Sequence, residues 1–270
     1  MNLLFTVCGR AGSKGVKGKN LRDFCGVPLV WYTYAAISLY REKYAGEDDY
    51  IRIALSTDSE ELIEKVSSLP EDTFVVRREE SLAGDTVSKV TVIRDCLKRA
   101  EEHFGINFDM VVDLDITSPL RTAEDIRAAV EKKKLREDTD VVYSVTESRR
   151  NPYFNMVRQE ADFFVRAIPS NYTSRQQTPV FYDMNASIYA YSPVALREKE
   201  ISIFFNTGAD VVRMMDTGIL DIDSEGDFLL MQAIAEFLFE EYENFGEIKK
   251  RALAYFKYYN MDQGLERVSG

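Results

Sequence analysis

The chain has 270 residues, a formal charge of -11, and 45% hydrophobic and 29% charged residues. That is enough to bury one α/β core, and the acidity argues against a nucleic-acid partner. Three widely spaced cysteines (Cys8, Cys25, Cys96) exclude a disulfide framework and a zinc-cysteine site, and no apolar run approaches about 18 residues, so a cytoplasmic protein without a membrane partner is expected.

Residues 2–7 (NLLFTV) are a short apolar run rich in strand formers, and 28–44 have the length and apolar content of a helix. Between them lies CGRAGSKGVKGKN, with Gly9, Gly12, Gly15 and Gly18 and the cations Arg10, Lys14, Lys17 and Lys19; no acidic residue precedes Asp23. Glycines let a backbone approach a ligand closely and form an anion nest, and the cations, with Arg22, supply countercharge. Strand, basic glycine loop and helix predict a polyphosphate site; a solvated surface loop is the alternative. It is neither a P-loop, since Gly18-Lys19 is followed by Asn20 without a hydroxyl, nor a dinucleotide fingerprint, since no two glycines are two apart.

Strand-like runs recur at 50–55, 73–76, 110–114 and 140–145, separated by helical segments at 59–68, 87–104 and 123–134. The alternation predicts an α/β fold with a mainly parallel sheet covered on both faces, and chemistry in the loops after the strands: the basic loop, STD at 56–58 and DLDITSPLR at 113–121. Residues 148–177, aromatic and basic, break the alternation and predict an excursion from the single domain, a hairpin-like arm. Residues 185–192 and 209–215 resume strand pattern. A helix follows Ser224, which with Asp227 makes an N-cap signature, and a further one spans 247–258.

His103 is the sole histidine, placed near a helix end, so histidine triads and multi-histidine metal sites are excluded and chemistry must rest on carboxylates, cations and a metal. In DID, extended backbone puts Asp221 and Asp223 on one side, two hard oxygen ligands suited to Mg2+ completed by a triphosphate; an acidic turn capping the helix is the alternative. Asp113 and Asp115 have the same spacing, as a second metal point or a solvated strand end.

RAGSKGVKGKNLRDFCGVPL (10–29), STD (56–58), LAGDTVS (82–88), TSPLRTAEDI (117–126), RQQTP (175–179) and DIDSEGD (221–227), in this order, resemble the acylneuraminate cytidylyltransferases, or CMP-sialic acid synthetases. The resemblance implies a Rossmann-like three-layer nucleotidyltransferase fold with an inserted dimerisation arm, a homodimer, and transfer of CMP from CTP to the C2 hydroxyl of a nonulosonic acid. It implies Arg10 and Lys19 as triphosphate contacts with Gly12, Ser13 and Asn20 alongside, Arg78 at the cytosine, and Asp221 and Asp223 on Mg2+. Arg10, Lys19, Asp221 and Asp223 form the catalytic set. Thr117, Ser118, Arg121, Arg175, Gln176 and Asn185 fall on the sugar side.

Departures cluster around the sugar. Asp115 stands where a sugar-contacting glutamine is usual, Asp183-Met184-Asn185 replaces Arg-Pro-Asn, and a partner lysine falls near Phe154, leaving Arg149 or Arg150 to supply that charge. An acceptor-only Asp115 predicts a sugar acid presenting donors there, such as N-acetylneuraminate or its deaminated counterpart, over legionaminate. The alternatives are a cytidylyltransferase for the eight-carbon 3-deoxy-manno-octulosonate, which expects Gly-Asp-Glu-Pro where this chain has Ile116-Thr117-Ser118-Pro119, and a non-catalytic nucleotide-sugar binding protein. A Rossmann oxidoreductase lacks its glycine fingerprint.

Overall fold

The computed structural model describes residues 1–12, 15–84, 87–200, 208–218 and 221–262. Seven strands build one sheet: β1 (Asn2–Cys8), β4 (Tyr50–Thr57), β5 (Thr73–Arg77), β6 (Met110–Leu114), β7 (Val141–Glu147), β10 (Tyr182–Tyr191) and β11 (Ala209–Arg213). Their order is β11-β7-β10-β6-β1-β4-β5, and only β10 runs antiparallel to its neighbours. The expected mainly parallel sheet is therefore present with one reversed strand in its middle.

Side-chain alternation along β1 sends Leu3, Phe5 and Val7 to one face and Leu4 to the other. The first face is covered by α1 (Leu29–Tyr44), α2 (Glu60–Ser67), α4 (Ala123–Leu135), α6 (Glu225–Glu241) and α7 (Glu243–Asp262), the second by α3 (Lys89–Phe104) and α5 (Pro193–Glu198). Helix α1 is apolar on nearly all sides because α7 packs over it, with Trp31 against Phe256 and Tyr259. Helix α7 exceeds the expected 247–258 because Phe245, Ile248, Ala252 and Tyr255 form one buried stripe. The signature at Ser224 becomes a capping box with Asp227, and Thr122 makes another with Asp125 at the start of α4. Helix α5 escapes a reading of periodicity: six residues are too short to show it, although Ser192 caps Ala195 with Pro193 in the first turn.

The excursion at 148–177 carries an antiparallel hairpin of β8 (Val157–Glu160) and β9 (Phe163–Arg166), separate from the sheet. Val157, Phe163 and Phe164 stand exposed on it. Two further short strands, β2 (Asp23–Phe24) and β3 (Val27–Pro28), pair across Cys25 and Gly26, both at positive φ (49° and 99°), before α1 begins. His103 stacks on Phe74 at the end of α3, an aromatic packing role.

Strand β10 enters from the arm, and its pairing with β7 shifts register between Met184 and Tyr189, where Ala186 adopts φ 50°. A left-handed alanine costs on the order of 1 kcal/mol and needs surrounding structure to hold it. Arg121 supplies that support from the interior. Fully buried, it donates through Nη1 to the Ser187 carbonyl (2.6 Å) and through Nη2 to Thr33 Oγ1 (3.0 Å) and the Asp115 carbonyl. Burial pushes its pKa down to about 10 against the pull of Asp115, Asp113 and Asp125, so it stays charged at neutral pH. Arg121 is thus an internal brace joining the β6 loop to β10, its guanidinium turned to interior acceptors rather than lining the cleft. Arg121→Met should lower unfolding free energy by about 3 kcal/mol, because several buried acceptors lose a charged donor. Urea denaturation checks this, and a loss below about 1 kcal/mol would contradict the brace.

Candidate active site

At the carboxyl edge of β1 and β6 a cleft of about 440 Å³ opens, lined by Arg10, Gly15, Lys19 and Asn20 from the glycine loop and by Asp115, Thr117, Asp221 and Asp223. The loop is anchored at several points. Val16 is buried in the core, the Ala11 N–H donates to Asp58 Oδ1 (2.8 Å), and Asn20 Nδ2 donates to the Arg10 carbonyl (3.3 Å). Asp58 of STD therefore ties the loop down. Gly18, at φ 62°, turns the chain into the 3-10 turn that presents Lys19 and Asn20.

The loop rests directly on the DID turn. A Cβ on Gly15 would collide with the Asp223 carbonyl, and Lys19 Nζ donates to the Ile222 carbonyl while lying 4.0 Å from Asp223 Oδ1. Arg22, read in the sequence as countercharge, pairs with Glu225 and lies 4.2 Å over the Phe228 ring, fastening the loop to the start of α6. The two carboxylates differ. Asp223 is exposed, whereas Asp221 is half-buried and accepts from the Ile222 N–H (2.8 Å). The Asp221 pKa is raised by burial and then by Asp115, with Asp223 adding and Thr117 and Lys19 opposing.

Asp115 is held on every side. Its Oδ1 accepts from the Thr117 N–H (3.2 Å) and hydroxyl (2.9 Å), its Oδ2 from Lys89 Nζ (2.5 Å), and its N–H donates to the Ser187 carbonyl (3.2 Å). Burial raises its pKa, but Lys89 and the Thr117 hydrogen bonds prevail and hold it below the ordinary carboxylate value. Asp113, with a metal point and a solvated strand end as its two sequence readings, is not a solvated strand end: it is fully buried, accepts from Thr6 Oγ1 (2.9 Å) and lies 2.8 Å from Lys89 Nζ. Sequence reasoning misses Lys89, because a lone lysine at a helix start carries no signal until β6 is laid beside it.

The other sugar-side residues do not converge on this cleft. Asn185 is buried, accepts from Ser144 Oγ (2.6 Å) and donates to Met214 Sδ (3.3 Å), so both ends of its amide have internal partners and it shapes the β10 bulge. Ser118 is buried beside Thr117. Arg175 and Gln176 line a separate cavity of about 250 Å³ at the base of the arm, where Arg175 Nη2 donates to the Ser148 carbonyl (2.7 Å). Arg149 pairs with Asp216 (2.6 Å) and Arg150 is exposed. Arg78 follows the last residue of β5, its Nη2 donating to the Ser56 carbonyl (2.9 Å). Ser13 lies outside the described residues. Gly12 is exposed, with open space where a side chain would stand.

The glycines thus divide sharply. Gly15→Ala must push the loop off the Asp223 carbonyl and should reduce turnover by about 100-fold or more, while Gly12→Ala should stay within about 3-fold of native. Steady-state rates for the two variants check this, and equal small effects would show that the loop does not need its seat on Asp223.

The sequence profile of a family described as "Cytidylyltransferase" matches residues 5–259. The "Post-translational flagellin modification protein B" of Campylobacter coli is 37% identical over 88% of this chain and 95% of its own. The "CMP-N,N'-diacetyllegionaminic acid synthase" of Campylobacter jejuni is 37% identical over 85% and 93%. The "N-acylneuraminate cytidylyltransferase" of Streptococcus agalactiae is 28% identical over 85% of this chain and 52% of its own. A solved structure titled as CMP:2-keto-3-deoxy-manno-octonic acid synthetase complexed with CTP superimposes with a TM-score of 0.61 over 88% of this chain and 99% of that one, at 16% identity, a likeness of fold alone. With a family match over nearly the whole chain and relatives at 37% identity covered almost end to end, the protein belongs to the cytidylyltransferase family and is a nucleotidyltransferase of the acylneuraminate cytidylyltransferase type.

Proposed function

We propose that the protein transfers CMP from CTP to the C2 hydroxyl of a nonulosonic acid of the legionaminic type, in the cytoplasm, releasing pyrophosphate. The observation that carries this reading is the seating of the glycine loop on the DID turn, which brings cations for a triphosphate and carboxylates for a metal into one cleft. Arg10 and Lys19 neutralise charge on the departing pyrophosphate, and backbone N–H groups of the loop orient it. Phosphoryl transfer of this kind needs positioning and charge neutralisation more than covalent help, which suits a site without histidine.

Asp221 and Asp223 would hold Mg2+. Two carboxylates in the cleft wall, Asp221 and Asp223, are hard oxygen donors of the kind that suits an ion taking its remaining ligands from substrate oxygens. The raised Asp221 carboxyl, crowded by Asp115 and Asp223, fits the same assignment, since a cation relieves that repulsion. Bound there, the metal supplies Lewis acidity to the α-phosphate and the acceptor hydroxyl.

The legionaminic acceptor is favoured by the relatives named for it. The opposite ranking expected from Asp115 is set aside in favour of the acceptor named by these relatives, and Asp115, already tied to Thr117 and Lys89, is not a freely adjustable acceptor. Arg175 and Gln176, gathered at the base of the arm, are proposed to complete the acceptor pocket of a second copy. The exposed Val157, Phe163 and Phe164 of the hairpin are apolar surface suited to such a homodimer.

Pyrophosphate release from CTP with a panel of sugar acids tests the reading. N,N'-diacetyllegionaminate should be used, and 3-deoxy-manno-octulosonate at least about 100-fold less efficiently. Asp221→Asn or Asp223→Asn should each lower turnover at least about 100-fold without loss of melting temperature. Turnover of octulosonate alone, or near-native rates in both variants at limiting Mg2+, would overturn it. For the assembly, light scattering should give a dimer at micromolar protein, converted to monomer by Phe163→Ser with Phe164→Ser. A fully active native monomer would refute the shared pocket.

A further inference from the structure

Lys89, the first residue of α3, has no role in the reaction as proposed, yet its ammonium reaches both carboxylates at the end of β6. Nζ lies 2.8 Å from Asp113 Oδ2 and 2.5 Å from Asp115 Oδ2. Asp113, in β6, is fully buried, while Asp115 lines the same cleft as Asp221 and Asp223. Two carboxylates this close to one another and partly removed from water cannot both remain charged without a shared cation. Burial works against the Lys89 charge, but Asp113 and Asp115 outweigh it and raise its pKa well above the ordinary value. Thr117 links the pair to the metal side: its hydroxyl donates to Asp115 Oδ1 and is also in the electrostatic surroundings of Asp221.

The acceptor must bring a hydroxyl to the α-phosphate beside Asp221, and it carries its own carboxylate. An uncompensated Asp115 would repel it. Resting on the cytidylyltransferase reading, we infer that Lys89 is a positioning residue for the acceptor side of the cleft, pinning Asp115 between Asp113 and Thr117 and screening its charge toward the anionic sugar acid. A glutamine at position 115 would need no such partner; the aspartate and Lys89 act as one unit, in which the ammonium, shared with Asp113, offsets part of the negative charge. The two substrates separate on this point, because the triphosphate is met by Arg10 and Lys19 of the glycine loop, whereas Asp115 enters the cleft from the end of β6 and is taken to meet the acceptor.

Lys89→Met should raise the acceptor KM by about 10-fold or more and the CTP KM by less than about 3-fold, the effect of one bared charge at roughly 10 Å. Removing that charge as well, in Lys89→Met with Asp115→Asn, should bring the acceptor KM back to within about 3-fold of Asp115→Asn alone. Equal rises in both KM values, or a double variant no better than Lys89→Met, would overturn the inference. Where Lys89→Met alone does not fold, the same substitution placed in Asp115→Asn must leave the acceptor KM nearly unchanged, and a rise above about 10-fold there overturns it. If the native protein uses no sugar acid, the functional reading falls separately. Lys89 is then decided by melting temperature, since losses from the two substitutions that simply add would show that the residues are not a coupled unit.

Discussion

Gly15 lies with its Cα against the Asp223 carbonyl, and Lys19, four residues on, donates to the neighbouring Ile222 carbonyl. These contacts join a loop at the end of β1 to a turn more than two hundred residues later in the chain. Each partner brings something the other lacks: the loop brings cations and backbone N–H groups, the turn brings hard oxygen ligands. Neither is a site by itself. A side chain at position 15 would separate them, so the glycine there is required by a close approach rather than by a turn.

The same economy governs the opposite wall. Strand β10 runs against its neighbours, and its bulge brings the Ser187 carbonyl to the end of β6, where it accepts from both the Asp115 N–H and Arg121. A fully buried guanidinium is costly to desolvate, and the carbonyls of Ser187 and Asp115 and the Thr33 hydroxyl that accept from its two terminal nitrogens are held in place by that need. The rigid β6 loop then presents Asp115 and Thr117 to the cleft in one geometry. In the LRT segment that leads into α4, the capping box between Thr122 and Asp125 continues the restraint.

Charge is distributed with the same logic. The chain is acidic as a whole, yet its cleft pairs a basic wall with an acidic one, so an anionic nucleotide and a cation are drawn to adjacent places. Asp113 and Asp115 act on the ionisation of Lys89, and Asp115 acts in turn on that of Asp221. A substitution at Asp115 is therefore felt at both neighbours, which is why roles in this wall are better assigned by pairs than one residue at a time.

Local pattern in the sequence determined much of this molecule. Strand runs at 2–7, 50–55 and 110–114 and the helices between them are each set by apolar periodicity over a few turns, and the Ser224–Asp227 cap by two residues three apart; all are interactions within a segment. The glycine loop and the DID pair were legible for the same reason, since their chemistry is carried by residue type and short spacing. What only the tertiary structure decided are the contacts between distant segments. Arg121 and Asn185 read as ligand-facing polar residues but turn inward, because the reversal of β10 creates buried carbonyls and a hydroxyl that need partners. Arg22 reads as phosphate countercharge but meets Glu225. Lys89 reads as an ordinary helix-start lysine until the sheet places it between two carboxylates, and Asp115 reads as a free acceptor until that lysine is beside it. A charge's partner is set by distance in space, and sequence spacing reports that distance only within one element.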